Sequence, residues 1–523
     1  MTRDTRISIL LAVVACGLIA LPFLGIAHIP LTDHPNHMAR FHILDAFDSS
    51  PELQSLYVLK GGFQPYWGMG GFMAVFTPWL GVETAGQIFP VAALALPVLG
   101  TIAINRVVTG KTNATALLAV LFVFSGMAGW GFLNYLFTLG AALLVFAAWI
   151  ATEARNAYVR IPAFAAAVLT IACMHMISAG MLGLMIGLWE VCKLFEKRRI
   201  DWQDIRRCLG IGVVFLPAAL LVMSQSASDF GETDTFYAPL SYLSNVMTTP
   251  FGFSGSRLWV INWHNLLVVG LYAAFLTYRV FTKSARPVVS FNTRLVAIGL
   301  VLFIMGAVTP TTLSGVAYFS HRFPLVGMLF LVASIRVETL PHPRAILGVL
   351  VASLLVKMTL VDRQFESFDS DIRELRAASH VMERGNRVFL AWSDGARALQ
   401  PSITQAPIVH YTHVLGYLVM ERDILFPYLF SMFDVGLRPE HARYTVPHDF
   451  AEMVARLDTE EARPYSAYWR EDFDYIILGH LGEDPGTHIA DTRVVHEGSW
   501  FKILKVTGAI STTPGLRGIA PSP

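Results

Sequence analysis

The chain has 523 residues, of which 54% are hydrophobic and only 15% charged, against about 25% charged in ordinary soluble domains. That composition excludes a soluble globular protein and makes lipid the main solvent. A formal net charge of +1 excludes the basic face that nucleic-acid binding requires. Four cysteines, Cys16, Cys173, Cys192 and Cys208, all lie in or beside apolar runs and offer neither a disulfide framework nor a CxxC pair.

Residues 1–27 begin with Arg3 and Arg6 and then run apolar from Ile7 to Ala27. That is longer than the roughly 7–15 residues of a signal-peptide core, so an uncleaved first span is expected. Val13, Val14, Ala15 and Cys16 superficially resemble a lipoprotein cleavage box, but the apolar run continues past them.

Polar chemistry starts where this span ends. Residues 30–45 bring Asp33, His34, His37, Arg40 and His42 together directly after it. Pro35 suits a first helical turn, which predicts a helix over 35–48 starting just after Asp33. Met38, Phe41, Leu44 and Phe47 recur every third residue, as expected of a helix lying on the membrane surface. The glycine-rich apolar stretch 66–82 reads as a re-entrant or interfacial segment, because counting it as a span would put every later basic loop on the wrong side.

Further spans are expected at 86–106, 113–128, 132–152, 161–178, 180–195, 208–225, 264–282, 294–309, 324–337 and 343–361, about eleven with the first. With the N-terminus inside, the cytoplasmic connections hold Arg106 and Lys111, Arg155 and Arg160, 193–207, 279–294, and Arg336 with Arg344. This satisfies the positive-inside rule at every turn. The outer side then receives 28–85, the turns at Trp130 and His175, the 226–263 loop, the 310–323 loop and everything after 361. His28, His34, His37, His42, His175, His264 and His321 all map there, and only His342 of the membrane part maps inside.

From 362 the composition becomes that of a soluble α/β module ending near 506. A helix is expected over 370–384, strands over 386–392 and 473–479, and a hairpin over 492–506 turning at Glu497-Gly498. Residues 507–523 are rich in Gly, Pro and Ser and are expected to be disordered. The expected fold is thus a polytopic α-helical membrane protein, residues 1–361, with a C-terminal soluble α/β domain on the outer face.

Asp33 is the sharpest candidate for chemistry. A carboxylate just outside a span can act as general base on a hydroxyl or hold a divalent cation, and it can equally be an N-cap for the following helix. His37 stands four residues on, where a carboxylate–imidazole pair or two metal ligands could share one helix face. Arg322, with His321 before it, precedes an apolar run on the outer side, where a guanidinium could grip a phosphate or simply snorkel to headgroups. Glu232 and Tyr237, with Asp229, Asp234, Trp259, Trp263 and His264, give the 226–263 loop the acids and aromatics of a sugar or headgroup site, or of an interfacial belt. Asn134, Tyr135 and His175 lie at outer span ends. There is no P-loop, no GxSxG and no HExxH in the chain, so the energy for any reaction must arrive in an activated, lipid-linked donor.

An N-terminal span, an acidic first outer loop, many further spans and a C-terminal outer domain together resemble the GT-C superfamily of integral-membrane glycosyltransferases. The resemblance implies that Asp33 is the first-loop acid, serving as catalytic base or metal contact, with His37 beside it. It implies that Arg322 contacts the phosphate of a polyprenyl-phosphate sugar donor; His321, His175, Arg40, Glu232 and Tyr237 are the further substrate-binding candidates by their placement on the outer side. The acceptor would be a glycan, lipid or protein at the outer face of a bacterial-type inner membrane. Where many relatives carry two acids close together, this chain has His34 after Asp33 and no further acid before Asp45. A divalent cation, Mg or Mn, therefore stays open, with Asp33 and His37 as its ligands. Two other classes compete: a transporter or lipid flippase, which would favour mid-span charges and internal repeats, and a non-catalytic envelope assembly protein in which Asp33 is a plain cap.

Overall fold

The structure, a computed structural model, describes residues 3–61, 65–197, 200–224, 235–237, 243–252, 270, 289–313, 316–337, 343–393, 408–430, 434–444, 469–480 and 489–507. The chain divides into two compact units, residues 1–34 with 63–367, and 35–62 with 368–523.

The first unit is helical. Six of its helices are long and apolar enough to cross a membrane, the first spanning Asp4–Phe23 and the others Trp67–Thr109, Leu133–Ala151, Ala157–Met174, Met176–Lys197 and Trp202–Ser224. The protein is therefore a multi-pass membrane protein, although the described residues hold six such helices where the sequence suggested about eleven spans. The expected spans 294–309 and 324–337 form the shorter apolar helices Thr293–Val308 and Arg322–Ser334, 343–361 opens the longer helix Pro343–Ala378, and 264–282 lies outside the described residues.

The 66–82 stretch is regular helix rather than irregular backbone. Helix Trp67–Thr109 has 43 residues, about 65 Å at 1.5 Å per residue and twice the thickness of a hydrocarbon core. It cannot cross as one rod. Gly81 breaks it with φ 76° and ψ 162°, a conformation open to glycine, and Pro78 precedes the break. The longer piece packs closely on Leu133–Ala151: a Cβ on Gly100 would fall 2.5 Å from Leu143 Cβ. Small residues set such close helix contacts in lipid, where packing rather than hydrophobicity drives association.

The expected span 113–128 is not one helix. It is a 3-10 turn Ala114–Leu118, a helical turn Ala119–Val123, an extended break at Phe124 and Ser125, and a last turn Gly126–Gly129. The side chain of Asn113, at one end, donates to Asn105 and Thr109, while Gly129, at the other, accepts from Thr32. Broken backbone at membrane depth survives only where protein satisfies it. Here Lys357, fully buried on helix Pro343–Ala378, donates from Nζ to the Leu121 carbonyl at 2.7 Å and the Phe124 carbonyl at 3.4 Å.

The second unit holds a four-stranded mixed sheet. Strands Val388–Trp392 and Tyr475–Gly479 run parallel, Phe501–Val506 lies antiparallel to the second, and Thr492–Glu497 closes the hairpin at the edge. The two parallel strands are buried at every residue, which explains why they read as unbroken apolar runs rather than alternating ones. All four lie where the sequence places them.

This unit takes in residues 35–62 as well as the region expected from 362, and its second segment starts at Phe368, inside the Pro343–Ala378 helix. Helix His34–Ala46 does not lay its stripe on a membrane. Met38 and Phe41 are buried, Ala39 and Ile43 belong to the α/β core, and Leu44 and Phe47 pack against that core. Strand Tyr57–Leu59 pairs antiparallel with Val435–Leu437, and Tyr57 donates its hydroxyl to the Ile424 carbonyl while accepting from Phe426 N. Asp423 gathers His42, Ser50 and Arg384 around its carboxylate. Burial alone would raise its pKa, but these three partners hold it below the ordinary carboxylate value.

Two substitutions test these anchors. Lys357→Met strands two buried carbonyls and should cost about 1–3 kcal/mol, read as a lower unfolding temperature in detergent with unchanged membrane insertion. Asp423→Ala removes the carboxylate that His42, Ser50 and Arg384 share and should release the 35–62 segment, seen as new protease cleavage there. Resistance equal to the parent would remove Asp423 from this role.

Candidate active site

In the first unit the backbone around Asp33 is held by the turn that precedes helix Leu133–Ala151. Thr32 donates from both its N–H and its hydroxyl to the Gly129 carbonyl, at 3.0 and 3.2 Å, and Asp33 N–H donates to the Trp130 carbonyl at 3.1 Å. The turn is itself stitched by Trp130 N–H to the Gly126 carbonyl and Gly131 N–H to the Ala128 carbonyl. Gly131, at φ 85°, lies against Asp33, and a Cβ there would come within 2.7 Å of the Asp33 nitrogen. Only glycine allows this approach. Asp33 is partly exposed and sits immediately before helix His34–Ala46, the position of an N-cap. On the other side of it the His34 ring donates from Nε2 to the Gly86 carbonyl at 3.0 Å.

The same turn reaches Arg322. Its guanidinium lies over the rings of Phe132, at 5.2 Å, and Tyr135, at 5.3 Å. Arg322 is 5% exposed, opens helix Arg322–Ser334 and donates from Nη1 to the Ala317 carbonyl at 3.2 Å. Its Nε has no hydrogen-bond partner among the described residues, and none of their carboxylates pairs with it. A cation buried at a helix N-terminus, where the dipole is also positive, is an unfavourable arrangement by itself and a favourable one for an anion.

His175 and His321 complete the group. The His175 ring lies 5.6 Å from Tyr135 and 5.4 Å from Tyr66, and its Nδ1 accepts from Ser178 N–H at the start of helix Met176–Lys197. The acceptor role of Nδ1 puts the proton of the neutral ring on Nε2. The His321 ring lies 5.3 Å from Tyr318. Burial, with the Arg322 charge nearby, lowers the pKa of His175 to about 3 and that of His321 to about 4. Asn134 braces the edge of the group, accepting from Met69 N–H and donating to the Met174 carbonyl.

The structure thus gathers Asp33, His175, His321 and Arg322 into the first unit around one turn. His37 and Arg40 belong to the second unit, where His37 packs edge-on against Phe430 and Arg40 lies 3.5 Å from Asp434. Tyr237 is exposed, on a short stretch whose Phe236 pairs with Thr312. Glu232 lies outside the described residues, as do Asp229, Asp234, Trp259, Trp263 and His264. Among the described residues no three His, Cys, Asp or Glu side chains converge as a metal site. Tyr318 and Phe132 escaped the sequence reading, although the aromatic pair Tyr318-Phe319 just before His321 and Arg322 carried a signal.

Three histidines of this unit sit below the ordinary value of about 6.5, for burial lowers His34 as well, to about 4. The unfolded chain then takes up protons that the folded chain refuses, so stability is level above pH 7. It falls as pH drops from about 6.5 toward 4, each group contributing a slope of ~1.4 kcal/mol for every tenfold rise in proton concentration. Unfolding temperatures across that range should show the fall, and the pair of changes His175→Asn and His321→Asn should reduce it, leaving the part due to His34.

No protein-family model matches the sequence, and no curated protein sequence does. Among solved structures, the chain is similar to arabinofuranosyltransferase AftD from Mycobacteria, with a TM-score of 0.42 and 14% identity over 97% of this chain and 40% of that one. It is similar to a mutant form of AftD at a TM-score of 0.42 and 15% identity, over 98% of this chain and 42% of that one. The chain therefore spans about two fifths of the length of these enzymes.

Proposed function

We propose that this chain is a membrane glycosyltransferase that moves a sugar from a polyprenyl-phosphate donor to an acceptor at the outer face of a bacterial-type inner membrane. The observation that carries the proposal is Arg322: a buried guanidinium at a helix N-terminus, ringed by aromatic and neutral imidazole groups, with no described carboxylate against it. A phosphate monoanion or dianion supplies the missing charge. In the transfer, Asp33 accepts the proton of the acceptor hydroxyl as its oxygen attacks the anomeric carbon. The bond from that carbon to the phosphate oxygen breaks, and the departing lipid phosphate keeps its electron pair beside Arg322, where its growing charge is stabilised. His175 and His321, both neutral, polarise the donor without adding charge.

The arrangement of Lys and Arg along the chain supports about eleven crossings, a cytoplasmic N-terminus and an outer C-terminal unit. We assign acceptor selection, for a glycan, lipid or protein, to that unit. The transporter reading draws on charges within the spans, and two of the described ones, Lys357 and Glu190, are already engaged. Lys357 bonds to carbonyls, and Glu190 accepts from Trp149 and pairs with Lys193.

The purified chain, incubated with radiolabelled polyprenyl-phosphate pentoses and hexoses, should transfer or hydrolyse one of them. Asp33→Asn should lower that rate by roughly 10²–10⁴ with insertion unchanged, the range for loss of a general base, and Arg322→Gln should raise the donor KM. Full activity in Asp33→Asn sinks its assignment. Lipid scrambling in proteoliposomes without any transfer would favour the flippase.

A further inference from the structure

Among the described residues, three that are not glycine have a left-handed backbone: Asp423, Asp491 and Tyr318. Aspartate tolerates that region through its short polar side chain, whereas a bulky aromatic residue is a true outlier there. Tyr318 has φ 54°, and its neighbours hold it so from both sides. The Ala317 carbonyl is turned to accept from Arg322 Nη1, and Phe319 N–H is tied to the Thr311 carbonyl at 2.7 Å. Such conformations persist where the surroundings over-determine them, and they cluster at functional sites.

The constraint has a geometric result. The Tyr318 ring is laid against Trp130 at 4.6 Å, near Phe132 at 5.9 Å and His321 at 5.3 Å, and stays partly exposed. Trp130 is the residue whose carbonyl holds Asp33, and Phe132 is the ring beneath Arg322. Tyr318 therefore sits on the turn that connects the carboxylate to the guanidinium. A sugar whose anomeric carbon lies between an acceptor at Asp33 and a phosphate at Arg322 needs a surface for its apolar C–H face. An aromatic ring offers one, through dispersion and the removal of apolar surface from water.

We propose that Tyr318 is a sugar-binding residue of this site, its ring stacking on the donor's sugar and its strained backbone aiming that ring. The proposal rests on the transferase reading above. It concerns the sugar alone, since the phosphate belongs to Arg322.

Equilibrium binding to the detergent-purified full chain tests it, with two probes: undecaprenyl phosphate, and undecaprenyl phosphate bearing a pentose or a hexose. Tyr318→Gly removes the ring while relieving the backbone, so a loss of fold is avoided. It should weaken the sugar-bearing lipid about 3- to 10-fold and leave the bare lipid phosphate as tightly held as in the parent, and Tyr318→Phe should restore the lost affinity. If Tyr318→Gly binds both probes like the parent, or loses both equally, the ring has no part in sugar recognition and the proposal is overturned while the transferase reading stands. If the parent itself binds neither probe, the transferase reading falls with it.

Discussion

The pairing of Thr32 and Asp33 with the carbonyls of Gly129 and Trp130 is the constraint on which the site depends. It consists of two backbone bonds and one from the Thr32 hydroxyl, and it fixes Asp33 through its backbone N–H. It is available only because Gly131 brings no Cβ into the space that Asp33 fills. The next residue, Phe132, lies under Arg322, so one turn positions both an acid and a cation. A rigid turn between two chemical groups is the usual physical route to preorganisation, because neither group must be ordered when substrate arrives.

That turn is irregular backbone in a unit built to sit in lipid, and its cost is met by buried polar side chains. Lys357 takes the carbonyls freed where the 113–128 segment breaks, Asn105 donates to the Ala333 and Ile335 carbonyls at the end of helix Arg322–Ser334, and Asn134 accepts from the Met69 N–H in the first turn of the kinked helix. Each replaces hydrogen bonds that water would supply elsewhere. The broken segment follows from these supports: without them an apolar run of that length would form one helix.

The second unit explains a feature of the segment after the first span that hydropathy cannot. The apolar stripe at Met38, Phe41, Leu44 and Phe47 has the period of a membrane-lying helix, but the same period serves any half-buried helix. What decides the matter is the presence of Leu375, Val388, Tyr417 and other core residues from the far end of the chain. The pairing of Tyr57–Leu59 with Val435–Leu437 and the Asp423 cluster are likewise contacts of high sequence separation. No local pattern announces them.

By itself, the sequence determined the membrane character, the four strands of the mixed sheet, the helix start after Asp33 and the singling out of Asp33 and Arg322. These follow from composition, from period and from residues whose chemistry is costly to bury, all of which are local properties. Only the tertiary structure decided that 66–82 is helix broken at Gly81, that 113–128 is three short pieces capped by a lysine, and that 35–62 folds with the C-terminal domain. It alone laid Tyr318 against Trp130, whose carbonyl holds Asp33, and near Phe132, which lies under Arg322. Such outcomes depend on which distant groups arrive to satisfy a carbonyl or cover an apolar face, and a linear pattern holds no record of that.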